Sequence, residues 1–311
     1  MGRVSTHSQS ASLANDVQHA LLHGLLDDAS LFPPGNLSMP AAVAAHVNHQ
    51  KEWFSALTGP FVCAETRLAE LARALAAANT PWIDLSLVVT GGAIAVGAAT
   101  DAVAADARLR LRAIEVPAAK GAEPAQAVAE VAAALDRVPL AGATGYIEFP
   151  LTAIADPEMA GHLLDVADQR GYRPKLRTGG VTPEAFPSEE TLASWLAAIA
   201  GRRIRFKCTA GLHHAVRCTD GAGTDERSGP GMEQHGFLNV LLATGAAADG
   251  AAAEEIAAIL RQRDRTAIAA AIRALDAETA ADIRWLFTSF GTCSTSEPVA
   301  DLVSLGLLSK P

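Results

Sequence analysis

The chain has 311 residues, half of them hydrophobic and 19% charged, which is enough apolar material for one large core or two ordinary ones. Its 34 acidic residues outnumber 25 basic ones, a net charge of −9 with no long basic stripe, which excludes a general nucleic-acid binder. The four cysteines form no CxxC pair, the polar N-terminus lacks a secretory apolar run, and no uncharged stretch reaches transmembrane length. A cytoplasmic protein is expected, with neither a disulfide framework nor a zinc ribbon, and with no membrane or nucleic-acid partner.

Short apolar, β-branched runs alternate with longer Ala/Leu/Glu helical patterns, as in βα units around a parallel sheet. A helix is expected over 13–23, then a first strand over 25–31, a Pro-Pro-Gly turn and a helix over 39–54. Further strands read as 60–63, 83–89, 110–116, 145–149, 173–177, 204–208 and 285–289. Helical patterns separate them at 67–77, 125–135, 158–169 and 189–199, and a last helix covers 298–307.

Eight such steps in 311 residues favour an α/β fold, a (β/α)8 TIM barrel with an N-terminal helix, over an open doubly wound sheet. No GxGxxG or GxxxxGK[ST] follows any strand, so the usual nucleotide fingerprints are missing. The interval 209–283 is too long for one crossover. It holds a Gly/Thr/Asp-rich loop at 219–231 and two or three helical segments, and is expected as a helical insertion before the last strand of a single 1–311 domain. Two readings stand for it: a lid over the site, or helical decoration that supports packing or a dimer.

Side chains at the carboxyl ends of barrel strands converge on one mouth. Those positions hold Asp27, Asp28, Glu65, Glu115, Glu148, Lys175, Arg177, Lys207, His213, His214 and the segment 288–295. Two segments stand out: Pro174-Lys175-Leu176-Arg177-Thr178-Gly179-Gly180 and Phe206-Lys207-Cys208-Thr209-Ala210-Gly211. A lysine in an apolar strand is costly to bury as a charge, so it must be paired, neutral or at a cavity. Two lysines on consecutive strands of one barrel repel, which lowers the pKa of one of them, and the free amine can attack a carbonyl to form a Schiff base. The other reading is that Glu115 and Glu148 neutralise both lysines as interior ion pairs.

The order of these segments resembles the deoxyribose-phosphate aldolase family and its wider class I aldolase relatives. Leu25-Leu26-Asp27-Asp28-Ala29-Ser30-Leu31 looks like that family's opening I-D-H-T-L-L strand, and Pro60-Phe61-Val62-Cys63 sits where its second strand carries V-C-V. The run from Lys175 to Gly180 is similar to its K-T-S-T-G-F strand, which supplies the Schiff-base lysine. The run from Arg205 to Gly211 resembles the next strand, with a helper lysine before a Gly-rich phosphate loop. Thr288-Ser289-Phe290-Gly291 is similar to the T-S-S of the last strand. The likeness covers roughly 25–211 and the last strand. Arg177 stands where the family has a small hydroxyl residue, His213 and His214 where it has a Gly-Ile-Arg turn, and only Ile114-Glu115-Val116 meets its Asp-bearing strand.

The resemblance implies a lyase of class I aldolase type, using Schiff-base chemistry on a small anionic carbonyl compound without a cofactor. Lys175 would form the iminium, Lys207 would be its helper, and Glu115 or Glu148 would move protons. Arg177 would clamp a carboxylate or phosphate with its planar fork. Thr178, Gly179, Gly180, Thr209, Gly211, His213, Ser289 and Gly291 would complete the substrate site, with backbone N–H groups near the glycines forming an anion nest.

Two rivals stand beside this. Cys208, His213, His214, His235 and Cys293 lie late in the chain near the expected mouth, and could hold zinc or another divalent metal in a hydrolase or lyase. Adjacent histidines, however, point apart on a strand. The second rival is a non-catalytic barrel that binds a small molecule. His235 either reaches the pocket or opens an amphipathic helix that buries Phe237 and Leu241, and Cys293 is a nucleophile if a histidine lies beside it. The partner expected is a small-molecule carbonyl substrate, and a homo-oligomer is left open.

Overall fold

β-branched and aromatic runs too short to bury themselves must pair with one another, and in this chain the pairing closes on itself. The computed structural model describes residues 16–180, 182–219 and 233–310. Its strands are β1 (Leu26–Asp28), β2 (Thr58–Ala64), β3 (Ile83–Val88), β4 (Leu109–Pro117), β5 (Thr144–Glu148), β6 (Arg173–Arg177) and β7 (Phe206–Thr209). After them come a two-stranded antiparallel pair, β8 (Cys218–Thr219) and β9 (Glu233–Gln234), and finally β10 (Phe287–Thr292). Strands β1 to β7 lie side by side in sequence order and β10 joins β7 to β1, all parallel, which makes a closed (β/α)8 TIM barrel.

Each of the eight expected strands is a barrel strand, with shifted ends. β1 stops at Asp28 because the Asp28 carboxylate accepts the Ser30 N–H at 3.2 Å and turns the chain. β10 starts at Phe287 because Trp285 and Leu286 still belong to the preceding helix, Ala277–Leu286.

Helices Leu68–Ala77, Pro124–Leu135, Pro157–Asp168, Glu189–Gly201 and Ser296–Ser304 fall on the expected patterns. Side chains of Glu123, Asp156 and Ser188 accept N–H groups of the first turns of three of them. The expected 39–54 helix is shorter, Met39–His49, since residues after it form tight turns leading to the 3-10 turn Ser55–Leu57. Val96–Ala104 is a further helix whose run of small residues gives little contrast between its faces. Residues 16–22 are helical, and the rest of the N-terminal helix expected at 13–23 includes positions outside the described residues. Among the described residues no helix is long and apolar enough to cross a membrane.

Among the described residues the long interval before β10 holds four helices rather than two or three: Phe237–Ala248, Ala253–Arg261, Arg265–Ala274 and Ala277–Leu286. Most of the loop expected at 219–231 lies outside the described residues. Phe237–Ala248 buries nine of its twelve residues against Glu189–Gly201, Ala253–Arg261 and Ala277–Leu286, so it is part of the barrel's outer layer. Asn239, fully buried, staples this layer: its Oδ1 accepts the Arg217 N–H at 3.0 Å, and its Nδ2 donates to Ile259 O and Gln262 O, both at 2.8 Å. Replacing it with Leu strands three backbone groups, so urea unfolding of Asn239→Leu is expected to show a loss of about 2–4 kcal/mol.

Candidate active site

Residues two apart on a strand share a face, so alternation decides which side chains meet inside the barrel. Glu148, Lys175 and Lys207 are register partners across β5, β6 and β7 and therefore project together. Asp27 of β1, Ser86 of β3, Glu115 of β4 and Ser289 of β10 reach the same interior.

The Glu115 carboxylate receives one lysine on each oxygen: Oε2 lies 2.7 Å from Lys175 Nζ and Oε1 lies 2.6 Å from Lys207 Nζ. Ser86 Oγ donates to Oε1 at 2.5 Å. Lys207 also reaches Asp27 Oδ2 at 2.5 Å, and that oxygen accepts Ser289 Oγ–H at 2.8 Å. Lys175 in turn reaches Glu148 Oε2 at 2.8 Å. The other Glu148 oxygen, Oε1, accepts Arg177 Nε at 3.1 Å and Nη2 at 3.0 Å. A single file of charges thus runs Asp27, Lys207, Glu115, Lys175, Glu148, Arg177, alternating in sign. A Cβ at position 59 would come within 2.5 Å of Asp27 Oδ1, so only glycine leaves room for that carboxylate.

Burial by itself would favour the neutral form of every member, and the neighbours decide which way each moves. For Lys175 burial lowers the pKa, but Glu115 and Glu148 outweigh both burial and the repulsion of Lys207, and hold it above its ordinary value. For Lys207, Asp27 and Glu115 do the same. Burial would raise Glu115, yet the two lysines hold it well below the usual carboxylate range. Glu148 is likewise held down, against burial, by Lys175 and Arg177. In Asp27 burial wins over Lys207, and its pKa rises. The lowered lysine pKa expected from repulsion is therefore overturned. What the lysines form is the interior ion pairs with Glu115 and Glu148, the other expectation.

A cavity of about 550 Å³ reaches this file of charges. Lys175, Lys207, Glu115, Glu148 and Arg177 line it on one side, and Phe32, Pro33, Pro34 and Val62 supply an apolar wall. Gly180, Thr209, Gly211, His213 and Gly291 also line it, as expected of a site built from strand ends. Thr178, Gly179 and Ser289 lie outside the lining. Thr178 is buried and donates its hydroxyl to Ala210 O at 2.6 Å, while Ser289 holds Asp27. A Cβ on Gly179 would sit 2.6 Å from Gly211 Cα, and Gly211 itself has φ +72°, so the loops after β6 and β7 can touch only with glycine at both places.

The residues weighed as metal ligands do not converge. Cys208 is buried within β7, His214 Nδ1 faces Asp301 Oδ2 at 3.4 Å, and His235 Nε2 donates to Pro187 O at 2.8 Å. Only His213 and Cys293 meet, 3.5 Å apart. Among the described residues no three His, Cys, Asp or Glu side chains form a group that could hold a metal ion. Of the two readings of His235 the structure shows the second: it does not line the cavity, and the helix that follows it buries Phe237 and Leu241.

Asp27, Ser86 and Lys120 were given no role by the sequence motifs. Asp27 had a signal in the Asp27-Asp28 pair, because alternation sends one side chain in and the other out. Asp28 indeed faces the helix Met39–His49, where its Oδ2 lies 3.0 Å from His46 Nδ1. Ser86 shares its strand face with Asp84 and Val88, and Lys120 lines the cavity from an exposed position after β4.

No protein-family model and no curated protein matches the sequence. Among solved structures, a deoxyribose phosphate aldolase from Aeropyrum pernix, described as a unique tetramer, is similar with a TM-score of 0.49 at 12% identity. The match covers 97% of this chain and 100% of that one. The likeness is one of fold.

The carboxylates set an acid limit. Glu115 and Glu148 titrate near 4.5 when unfolded and lower when folded, so as pH falls the unfolded chain takes up protons first. Their stabilisation is present above that value and lost below it, while Asp27, with its raised pKa, works in the opposite sense. Urea unfolding between about pH 6 and pH 3 should show a shallower loss of stability in Glu148→Gln than in the wild type. An equal loss in both would show that Glu148 is not held as described.

Proposed function

We propose that this chain is a lyase of the class I aldolase type, forming a Schiff base between Lys175 and a small carbonyl compound that carries an anionic group. The observation that carries the reading is the pair of buried lysines, in register on β6 and β7, sharing one carboxylate at a cavity. Such a cluster is a poor way to stabilise a barrel: each buried ion loses several kcal/mol of hydration, and apolar residues of the same volume do as well or better. A site that must hold an amine, move its proton and exclude water does need it. The likeness of Lys175 to Gly180 and Arg205 to Gly211 to aldolase strands points to the same lysine.

Lys175 is the nucleophile because its partner Glu148 is 15% exposed, whereas both partners of Lys207 are only 2–3% exposed. As a carbonyl compound enters, Lys175 Nζ passes a proton to Glu148 and the free amine adds to the carbonyl carbon. A proton passes from nitrogen to oxygen in the carbinolamine, and water leaves as Glu148 returns its own. Glu148, again a carboxylate, takes the proton of the hydroxyl on the far carbon of the scissile C–C bond, whose electron pair passes to the iminium. Lys207 stays an ammonium between Asp27 and Glu115, a fixed positive charge near developing negative charge. Arg177 is 39% exposed, and with Lys120 it offers cations to a carboxylate or phosphate.

The test is borohydride reduction in the presence of small aldehydes and keto acids, followed by peptide mass analysis. A reduced adduct on Lys175, absent in Lys175→Met together with all turnover, is the expected result. Ligands that raise the melting temperature of the wild type without any adduct would instead mark a binding protein. With a substrate in hand, Arg177→Met should raise KM about 10–100-fold and also move the pH profile of kcat upward, because Glu148 loses a cation that holds its pKa down.

A further inference from the structure

Cys293 and His213 face each other in the same cavity, outside the file of ion pairs that holds the lysines. Cys293 follows β10, His213 follows β7, and Glu297 lies in the first turn of the helix Ser296–Ser304, so three segments of the carboxyl face bring them together. Cys293 Sγ is 3.5 Å from His213 Nδ1, and Glu297 Oε2 is 3.6 Å from the same nitrogen. Both the thiol and the imidazole line the cavity, and Cys293 is the one cysteine of the four that does.

We propose that Cys293, with His213 as its proton partner, is a second nucleophile of this cavity and captures an aldehyde reversibly as a thiohemiacetal. A thiol becomes nucleophilic when a neighbour takes its proton. His213 stands at hydrogen-bond distance for that transfer, and Glu297 stabilises the imidazolium that results. Burial opposes a charged ring, but Cys293 and Glu297 outweigh it and push His213 up to about 10. Cys63 and Cys208 have no such partner: burial raises both thiols, Cys63 to about 12.

The step balances within the protein and its ligand. With the proton that the pair shares on His213, the sulfur lone pair forms the S–C bond and the carbonyl π pair moves to oxygen. His213 then returns its proton to that oxygen, leaving a neutral adduct with no oxidant consumed. The reverse path releases the aldehyde unchanged. This capture requires only the thiol, the imidazole and the cavity, so it stands or falls apart from the lysine chemistry.

The experiment measures the rate at which iodoacetamide labels Cys293 at neutral pH, read by peptide mass, with and without propionaldehyde. Wild type, His213→Gln and Lys175→Met are compared, and Cys293→Ser assigns the peptide. Labelling of His213→Gln is expected to be about tenfold slower than wild type or more. Propionaldehyde is expected to slow labelling in the wild type and equally in Lys175→Met. Equal labelling rates in wild type and His213→Gln overturn the pairing. Protection that disappears in Lys175→Met means that the amine alone holds the aldehyde, which overturns the capture and leaves the lysine reading standing. Absence of protection in either protein also overturns it. Where His213→Gln melts below the wild type, His213→Asn supplies the rate for a folded protein.

Discussion

One carboxylate holding two ammonium groups is the constraint on which this interior depends. Neighbouring strands lie about 4.8 Å apart, so in-register lysines on β6 and β7 repel by about 3 kcal/mol at an effective dielectric of about 20. Glu115 meets both nitrogens at 2.6–2.7 Å, and on the same scale each attraction is about 6 kcal/mol before desolvation. The attraction wins, and it wins only while β4 places Glu115 between the two. The register of β4, β6 and β7 and the protonation of both lysines are therefore one condition rather than several. Ser86 and Asp27, arriving from β3 and β1, complete the shell and extend that condition to the other side of the barrel.

The two acidic residues that end β1 divide the work between inside and outside. Asp27 turns inward to Lys207 and Ser289. Asp28 turns outward to His46 and also accepts the Ser30 N–H, while Leu37 N–H donates to Ser30 O and closes the loop. That loop carries Phe32, Pro33 and Pro34, the apolar wall of the cavity. A strand of three residues thus supplies both an electrostatic partner for the lysines and the anchor of the wall that faces them. Apolar lining next to charged lining lowers the local dielectric, so each ion pair on the charged side acts more strongly than it would in water.

Much of the barrel was legible because its cause is local. Runs such as Ile83–Val88 and Arg173–Arg177 carry strand chemistry in their own residues, and a lysine within such a run is conspicuous wherever the chain goes. The helix Val96–Ala104 was hidden because small residues on all faces leave no periodic contrast. What the sequence could not disclose is distance. Two lysines on adjacent strands suggest repulsion when counted along the chain, and only the closed barrel puts Glu115 between them, so the sequence left a lowered amine and a paired ammonium side by side. Asp27 shares this character: its partners Lys207 and Ser289 lie on β7 and β10, which meet β1 only through closure, whereas Ser86 meets Glu115 on the neighbouring strand β4. His235 stayed open between two readings for the same reason, since nothing local says that its ring ends on the Pro187 carbonyl rather than in the cavity.

The file of six charges from Asp27 to Arg177 has a consequence for how such a chain can drift. Losing any one member leaves the interior with a net charge, and an uncompensated buried ion costs about 3–5 kcal/mol, a large part of a domain's whole stability. The file can be shortened without that penalty only by two neighbours at a time from an end, Glu148 with Arg177 or Asp27 with Lys207. Divergence at these positions is therefore expected as coupled exchanges: a related sequence lacking Arg177 should lack an acid at 148, and one lacking Asp27 should have an uncharged residue at 207.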